Sequence, residues 1–149
     1  LYTGLYYGLL GAVLAALLPT LRVPLLGICL GMQVLFERSS ESDIDCLGLI
    51  PGTVTRLPAS PGIRVPHMGW NAVSSCREHA LLDGLDGSDF YFVHSYAAMP
   101  SDASIALCEH GQPFSAAVAS GNVLGVQFHP ERSGPQGQRL LANFLGMAA

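Results

Sequence analysis

The chain has no lysine. Seven arginines are its only fixed cations, and with eleven Asp and Glu they leave a formal charge of −4. That balance excludes the basic footprint of a nucleic-acid binder. Charged residues are scarce, at 12%, and hydrophobic residues make up 50%, which excludes a disordered chain. None of the four cysteines, Cys29, Cys46, Cys76 and Cys108, stands in a C-x-x-C pair, and the five histidines are scattered. No zinc spacing follows, and no metal or other cofactor is expected. Widely spaced cysteines in a chain of this length point to reduced thiols and a cytoplasmic setting. Repeats and low-complexity linkers are absent too. What is present is 149 residues, enough for one domain with a sizeable core.

Residues 1–21 contain no charge and are long and apolar enough to raise a membrane span. Gly4, Gly8, Gly11, Pro19, Thr3 and Thr20 interrupt them, and no basic stretch of a signal peptide precedes them. Leu5, Leu9, Ala12, Val13, Ala16 and Leu17 trace a helical stripe. The expectation is a helix packed on a sheet, with no membrane association.

Gly27-Ile28-Cys29-Leu30-Gly31-Met32-Gln33 follows the apolar run 23–26. A cysteine between glycines at a strand-to-helix turn is the thiol form of the G-x-S-x-G nucleophile elbow. The turn is tight, leaves no room for neighbouring Cβ atoms, and lifts the sulfur clear of the sheet. Residues 34–38 read as the continuation of an amphipathic helix, whose positive end would help hold Cys29 as thiolate. The polar stretch 37–45 reads as an exposed loop.

Beyond it, 53–57 alternates and is rich in β-branched residues, so it reads as a strand. Strands are also expected at 72–73, 90–96, 105–109, 116–119 and 123–128. A short helix or turn fits 79–85, and Leu140, Leu141, Phe144 and Leu145 give helical spacing over 137–147. Trp70, the sole tryptophan, is expected in a polar, Gly-flanked loop. Helices at both ends with strands between imply an α/β domain with an antiparallel insertion.

A second constellation is Gly125-Val126-Gln127-Phe128-His129-Pro130-Glu131. Pro130 keeps His129 extended, so His129 and Glu131, two residues apart, are expected to project the same way. A carboxylate beside an imidazole fixes its tautomer and stabilises the imidazolium. Cys29, His129 and Glu131 thus form a candidate nucleophile, base and orienter.

GICLGMQ at 27–33 together with GVQFHPE at 125–131 resembles the class I (triad) glutamine amidotransferases. Pro66-His67-Met68-Gly69-Trp70-Asn71 and Tyr91-Phe92-Val93-His94-Ser95-Tyr96 resemble the branch serving as glutaminase subunit of imidazole glycerol phosphate synthase in histidine biosynthesis. The tail 130–145 is similar to the same branch. The resemblance runs from about residue 23 to 147, with 1–22 poorly matched, and treats 1–149 as a single amidotransferase domain. It implies a flavodoxin-like mixed sheet flanked by helices, and glutamine as substrate. A thioester would form on Cys29, with Leu30 N–H as oxyanion donor. The resemblance further implies glutamine-binding roles for Gln33, Ser95 and Tyr96. Ammonia would pass to a (β/α)₈-barrel cyclase partner, docked at Met68, Trp70 and Asn71.

The chain departs from that pattern ahead of the elbow. Two β-α units of such a sheet take roughly fifty residues, and they carry a P-G-V-G-like oxyanion loop. Pro51-Gly52 and Pro61-Gly62 both fall after the nucleophile and cannot supply it. A truncated reading that lacks the N-terminal strands is therefore expected. The alternatives are another class I amidotransferase, serving anthranilate, GMP or carbamoyl phosphate synthesis, a catalytically dead relative, or a membrane-anchored protein.

Overall fold

The computed structural model describes residues 11–14 and 16–147. Residues 11–14 and 16–17 are helical, then β1 (Leu25–Ile28) leads through Cys29 into α1 (Leu30–Gln33). β2 (Phe36–Ser39), β3 (Ile44–Asp45), β4 (Ile50–Arg56) and β5 (His67–Ser75) follow. The chain continues with β6 (Ser88–His94), β7 (Tyr96–Ala98), β8 (Ser104–Glu109), β9 (Pro113–Ser120) and β10 (Val123–Val126). It closes on α2 (Gly134–Met147).

Two sheets result. The larger has the order β1-β10-β9-β8-β5-β6, and the smaller has the order β3-β2-β4-β7. In the larger sheet only β1 and β10 run parallel; every other pair is antiparallel. The sheet is mixed, as expected for an α/β domain, and the antiparallel strands lie in the chain between the parallel pair β1 and β10. β9 is buried at six consecutive positions, Phe114 to Ala119. A strand covered on both faces loses hydrophobic alternation, and its small side chains let both layers approach.

The main core is aromatic. Phe90 stacks on Phe128 with centroids 4.1 Å apart, and Phe92 meets Phe114 edge-on at 5.7 Å. A second cluster of Met32, Leu35, Phe36, Ile50 and Val54 ties α1 to the smaller sheet.

Three local expectations are corrected. Residues 34–38 do not extend the helix. The amides of Leu47, Gly48, Leu49 and Ile50 take the carbonyls of Val34, Phe36 and Leu35, so those acceptors are lost to helical bonding. Phe36–Ser39 becomes a strand parallel to β4. The stretch 37–45 is a hairpin of β2 and β3, across which Arg38 pairs with Asp43 at 2.6 Å and Asp45 at 3.2 Å. At the N-terminal segment, Leu5 and Leu9 lie outside the described residues. Ala12, Val13, Ala16 and Leu17 are exposed, so the described part of that helix is not packed on a sheet. No helix among the described residues is long and apolar enough to cross a membrane.

Two histidines are built into the core. His67 stacks on Phe92 at 4.7 Å and on His110 at 4.1 Å. His94 Nδ1–H donates to the Tyr96 carbonyl (2.9 Å), which can only accept. His94 Nε2 therefore accepts from His67 Nδ1–H (3.0 Å), and His67 Nε2 accepts from the Asn71 amide (3.2 Å). Both rings are held neutral. Burial pushes His67 from 6.5 down to about 3 and His94 to about 4, assisted by the neighbouring imidazoles. The unfolded chain takes up these protons near 6.5 and the folded chain does not, so unfolding is favoured as pH falls. These two histidines are expected to leave stability unchanged above about pH 7.5 and to lower it steadily from about pH 6.5 towards 4. Urea midpoints read by circular dichroism across that range check this; equal midpoints at pH 7.5 and 5 would contradict it.

Candidate active site

The site sits where β1 and β10 end side by side. Their register pairs Gly27 with Gly125 and Ile28 with Val126. Cys29 N–H then donates to the Val126 carbonyl at 2.8 Å, one residue past the end of β1. Cys29 has φ 52° and ψ −107°, a region that residues with a Cβ rarely occupy. Its carbonyl accepts from Met32 N (3.1 Å) and Gln33 N (3.2 Å). The turn has the tight strand-to-helix geometry that the sequence predicts.

The paired glycines explain how the helix is seated. A Cβ at Gly27 would stand 2.5 Å from Gly31 O and 2.8 Å from Met32 N. A Cβ at Gly125 would stand 2.7 Å from Met32 Cγ. The first turn of α1 therefore rests directly on the bare backbone of two adjacent strands.

The thiol is not held as thiolate. Burial pushes the Cys29 pKa above its ordinary 9.0, and the Glu131 carboxylate adds to the rise. Two donors oppose it, the Leu30 N–H and the Gln127 side chain. A four-residue helix has too little aligned backbone to overcome the desolvation. Cys29 is thereby biased towards the protonated thiol. Cys108, buried in the core with its thiol at about 12, is inert by comparison.

The base is His129. Its backbone N–H donates to the Tyr91 carbonyl of β6 (2.9 Å). Ser133 Oγ donates to the His129 carbonyl (2.6 Å) and accepts from Tyr91 N (3.0 Å). Glu131 Oε1 lies 2.6 Å from His129 Nδ1. The two meet through a tight turn, since Pro130–Arg132 is a 3₁₀ helix, and not through extended alternation as expected. An ionised carboxylate only accepts, so Nδ1 carries the proton and Nε2 the lone pair. Nε2 is buried and makes no hydrogen bond.

The remaining candidates divide. Gln33 is buried; its Nε2 donates to the Tyr96 carbonyl (2.9 Å) and to Gln127 Oε1 (3.1 Å). Gln33 and Tyr96 are thus joined through the tyrosine backbone, while the Tyr96 side chain packs against the second core cluster. Ser95 lies at the break between β6 and β7, its carbonyl accepting from Leu57 N. Pro51-Gly52 lies within β4 and Pro61-Gly62 in a turn bridged between Ser60 and Ile63.

Trp70 is on strand β5, not in a loop. It shares one exposed face with Met68, at 56% and 63% exposure, and its ring meets Tyr91 edge-on at 6.1 Å. Arg132 stacks over the same tyrosine at 5.0 Å. Asn71 turns to the opposite face, where its amide bonds His67 Nε2 and the Glu109 carbonyl. Gln127, Ser133 and Tyr91 went unread in the sequence. The available signal was a polar side chain, Gln127, inside an otherwise apolar strand end.

Residues 11–148 match the family described as glutamine amidotransferase class-I. The match begins inside the 1–22 stretch expected to fit poorly. A similar curated protein is the imidazole glycerol phosphate synthase subunit HisH of Xanthomonas campestris pv. campestris strain 8004. It is 54% identical over 132 residues, covering 88% of this chain and 66% of that protein. The protein of the same name from Xylella fastidiosa strain Temecula1 is 55% identical over 130 residues, covering 87% and 65%. The chain thus spans just under two thirds of the length of these curated relatives. Among solved structures, a glutamine amidotransferase from Thermotoga maritima aligns with TM-score 0.58 at 17% identity, covering 97% of this chain and 55% of that one. The glutaminase domain of Trypanosoma brucei CTPS with bound acivicin aligns with TM-score 0.61 at 15% identity, covering 93% and 66%. These structures share the fold.

Two outcomes follow from the geometry. Gly27→Ala is expected to lift α1 and cost about 1–3 kcal/mol, read as a lowered thermal midpoint; an unchanged midpoint would mean that the helix does not rest on the strand. Alkylation of Cys29 by iodoacetamide, followed peptide by peptide by mass spectrometry, is expected to keep rising with pH beyond 9.0. A plateau near neutral pH would show a thiolate at rest.

Proposed function

Because the chain belongs to the glutamine amidotransferase class-I family, we propose that it hydrolyses glutamine through a Cys29 thioester, as the glutaminase subunit of an imidazole glycerol phosphate synthase. The observation that carries this reading is that Cys29 and His129 follow the same ends of adjacent parallel strands, with Glu131 Oε1 2.6 Å from the imidazole Nδ1. The histidine-biosynthetic assignment rests on the 54–55% identity to proteins of that name.

In the proposed mechanism His129 Nε2 takes the Cys29 thiol proton as the sulfur attacks the side-chain amide carbon of glutamine. The oxyanion that develops is stabilised by Leu30 N–H. Collapse breaks the C–N bond, and His129 returns the proton to the departing ammonia. The resulting γ-glutamyl thioester is cleaved by water, which His129 deprotonates, releasing glutamate and restoring the thiol. Glu131 stabilises the imidazolium in both half-reactions. Gln33 has both amide hydrogens engaged, so its Oε1 remains to accept from the α-ammonium of glutamine beside Ser95 and Tyr96. No step calls for a cofactor.

Ammonia would pass to a (β/α)₈-barrel cyclase partner. Met68 and Trp70 present an exposed apolar pair suited to that contact, with Asn71 behind them on the inner face of β5. A cytoplasmic location fits a biosynthetic enzyme with reduced thiols.

Glutamate release in the presence of a barrel cyclase subunit and its nucleotide ligand tests the proposal. Cys29→Ala is expected to abolish turnover, and Glu131→Gln to lower kcat by about 10²–10⁴-fold. A glutamine-like electrophile should label Cys29 stoichiometrically. Failure of that label at a thiol that still reacts with iodoacetamide would sink the reading in favour of a catalytically dead relative.

A further inference from the structure

One side chain touching the nucleophile has no part in the mechanism above. Gln127 follows β10 and is fully buried, at 0% exposure, where an amide is costly unless both its ends are paired. Both are paired. Oε1 accepts from Gln33 Nε2 at 3.1 Å, and Nε2 donates to Cys29 Sγ at 3.7 Å. Gln127 N–H donates to the Ala116 carbonyl of β9 (2.9 Å), so the backbone that carries this amide is itself fixed.

The direction of this contact is dictated from a distance. The Tyr96 carbonyl can only accept, and it receives both His94 Nδ1–H and Gln33 Nε2. Gln33 must therefore present its NH₂ towards Tyr96, and the same NH₂ reaches Gln127. Gln127 must answer with its oxygen. Its own NH₂ is left facing the sulfur, and a flipped amide would oppose two donors at Gln33. One backbone carbonyl thus settles the orientation of two amides and makes the last group in the line a donor to Sγ. An N–H donor bonds a thiolate far better than a thiol.

We propose that Gln127 is a functional donor to the nucleophile: it holds the Cys29 sulfur in place and favours its thiolate form as His129 removes the proton. The proposal deepens the glutaminase reading and rests on it for the chemical step. It also gives Gln33 a second duty, since the residue expected to meet the substrate amine is the one that orients Gln127. The line continues inward through His94 and His67 to Asn71 on β5, so the polarity of the sulfur contact is anchored in the aromatic core.

The test is the pH profile of Cys29 alkylation by iodoacetamide in the full chain, comparing wild type with Gln127→Met, which keeps the length and removes the donor. The midpoint is expected to move up by about half to one pH unit, and the rate at pH 8 to fall by about three- to tenfold. Loss of a merely structural amide would lower the thermal midpoint without moving the titration. A folded Gln127→Met chain with an unchanged alkylation midpoint overturns the proposal. A second measurement needs no variant at this position and decides alone if Gln127→Met does not fold. The chain has five glutamines, Gln33, Gln112, Gln127, Gln136 and Gln138. With ¹³C at their side-chain carbonyls, one buried resonance is expected to titrate with the alkylation midpoint and to stop doing so in Cys29→Ala. If no glutamine resonance follows the thiol, the proposal falls. Alkylation does not require glutamine turnover, so a chain that fails to hydrolyse glutamine refutes the glutaminase reading and leaves the Gln127 result separately legible.

Discussion

The whole arrangement depends on one strand pair. β1 and β10 are the only parallel neighbours in the larger sheet, and parallel strands end on the same side. Cys29 leaves the end of one and His129 leaves the end of the other. The bond from Cys29 N–H to the Val126 carbonyl carries the pairing one residue beyond the strand and sets where the strained turn begins. An antiparallel pairing would send Cys29 and His129 to opposite ends of the strands, whatever their side chains.

Around that pair the site divides its work between rigid backbone and buried amides. His129 is tethered on its backbone, to Tyr91 of β6 and to Ser133, and its ring is held by Glu131 at one nitrogen. The nucleophile is tethered by its backbone turn, while its sulfur faces a side-chain amide whose direction is set by a carbonyl in the core. The tautomers of His94 and His67 follow from the same carbonyl. Tyr91 carries a double load, with its backbone on His129 and its ring between Trp70 and Arg132. The exposed face of β5 and His129 therefore share a residue.

Much of this was legible in the sequence because it was written in short-range terms. A Cys between two glycines after an apolar run specifies a local turn that tertiary packing does not overrule, and His-Pro-Glu places the carboxylate beside the imidazole although through a 3₁₀ turn. The strands at 53–57 and 105–109, most of the strand read at 123–128 and the helix at 137–147 were legible for the same reason. What escaped was decided by partners distant in sequence. Residues 34–38 carry helical spacing, yet their carbonyls are claimed by the amides of 47–50. Trp70 sits among Gly and polar neighbours that read as loop, yet it pairs with Tyr91 across a regular strand register. The thiol was expected to ionise at the helix end, but burial and Glu131 outweigh a single helical turn. Gln127 looked like an incidental letter of a motif because its role exists only once Gln33, ninety-four positions away, is folded against it.

The seat of α1 on Gly27 and Gly125 has a consequence for how such a site can vary. Where a helix packs on a strand through side chains, its elevation changes whenever those side chains are exchanged. At Gly27 the spacer is backbone against backbone, while at Gly125 it is the Met32 side chain. The elevation of the sulfur above the sheet is a covalent dimension of the polypeptide, and repacking the aromatic core beneath leaves it untouched. The hydrophobic interior can drift through many compositions while the reacting atom stays at one fixed altitude.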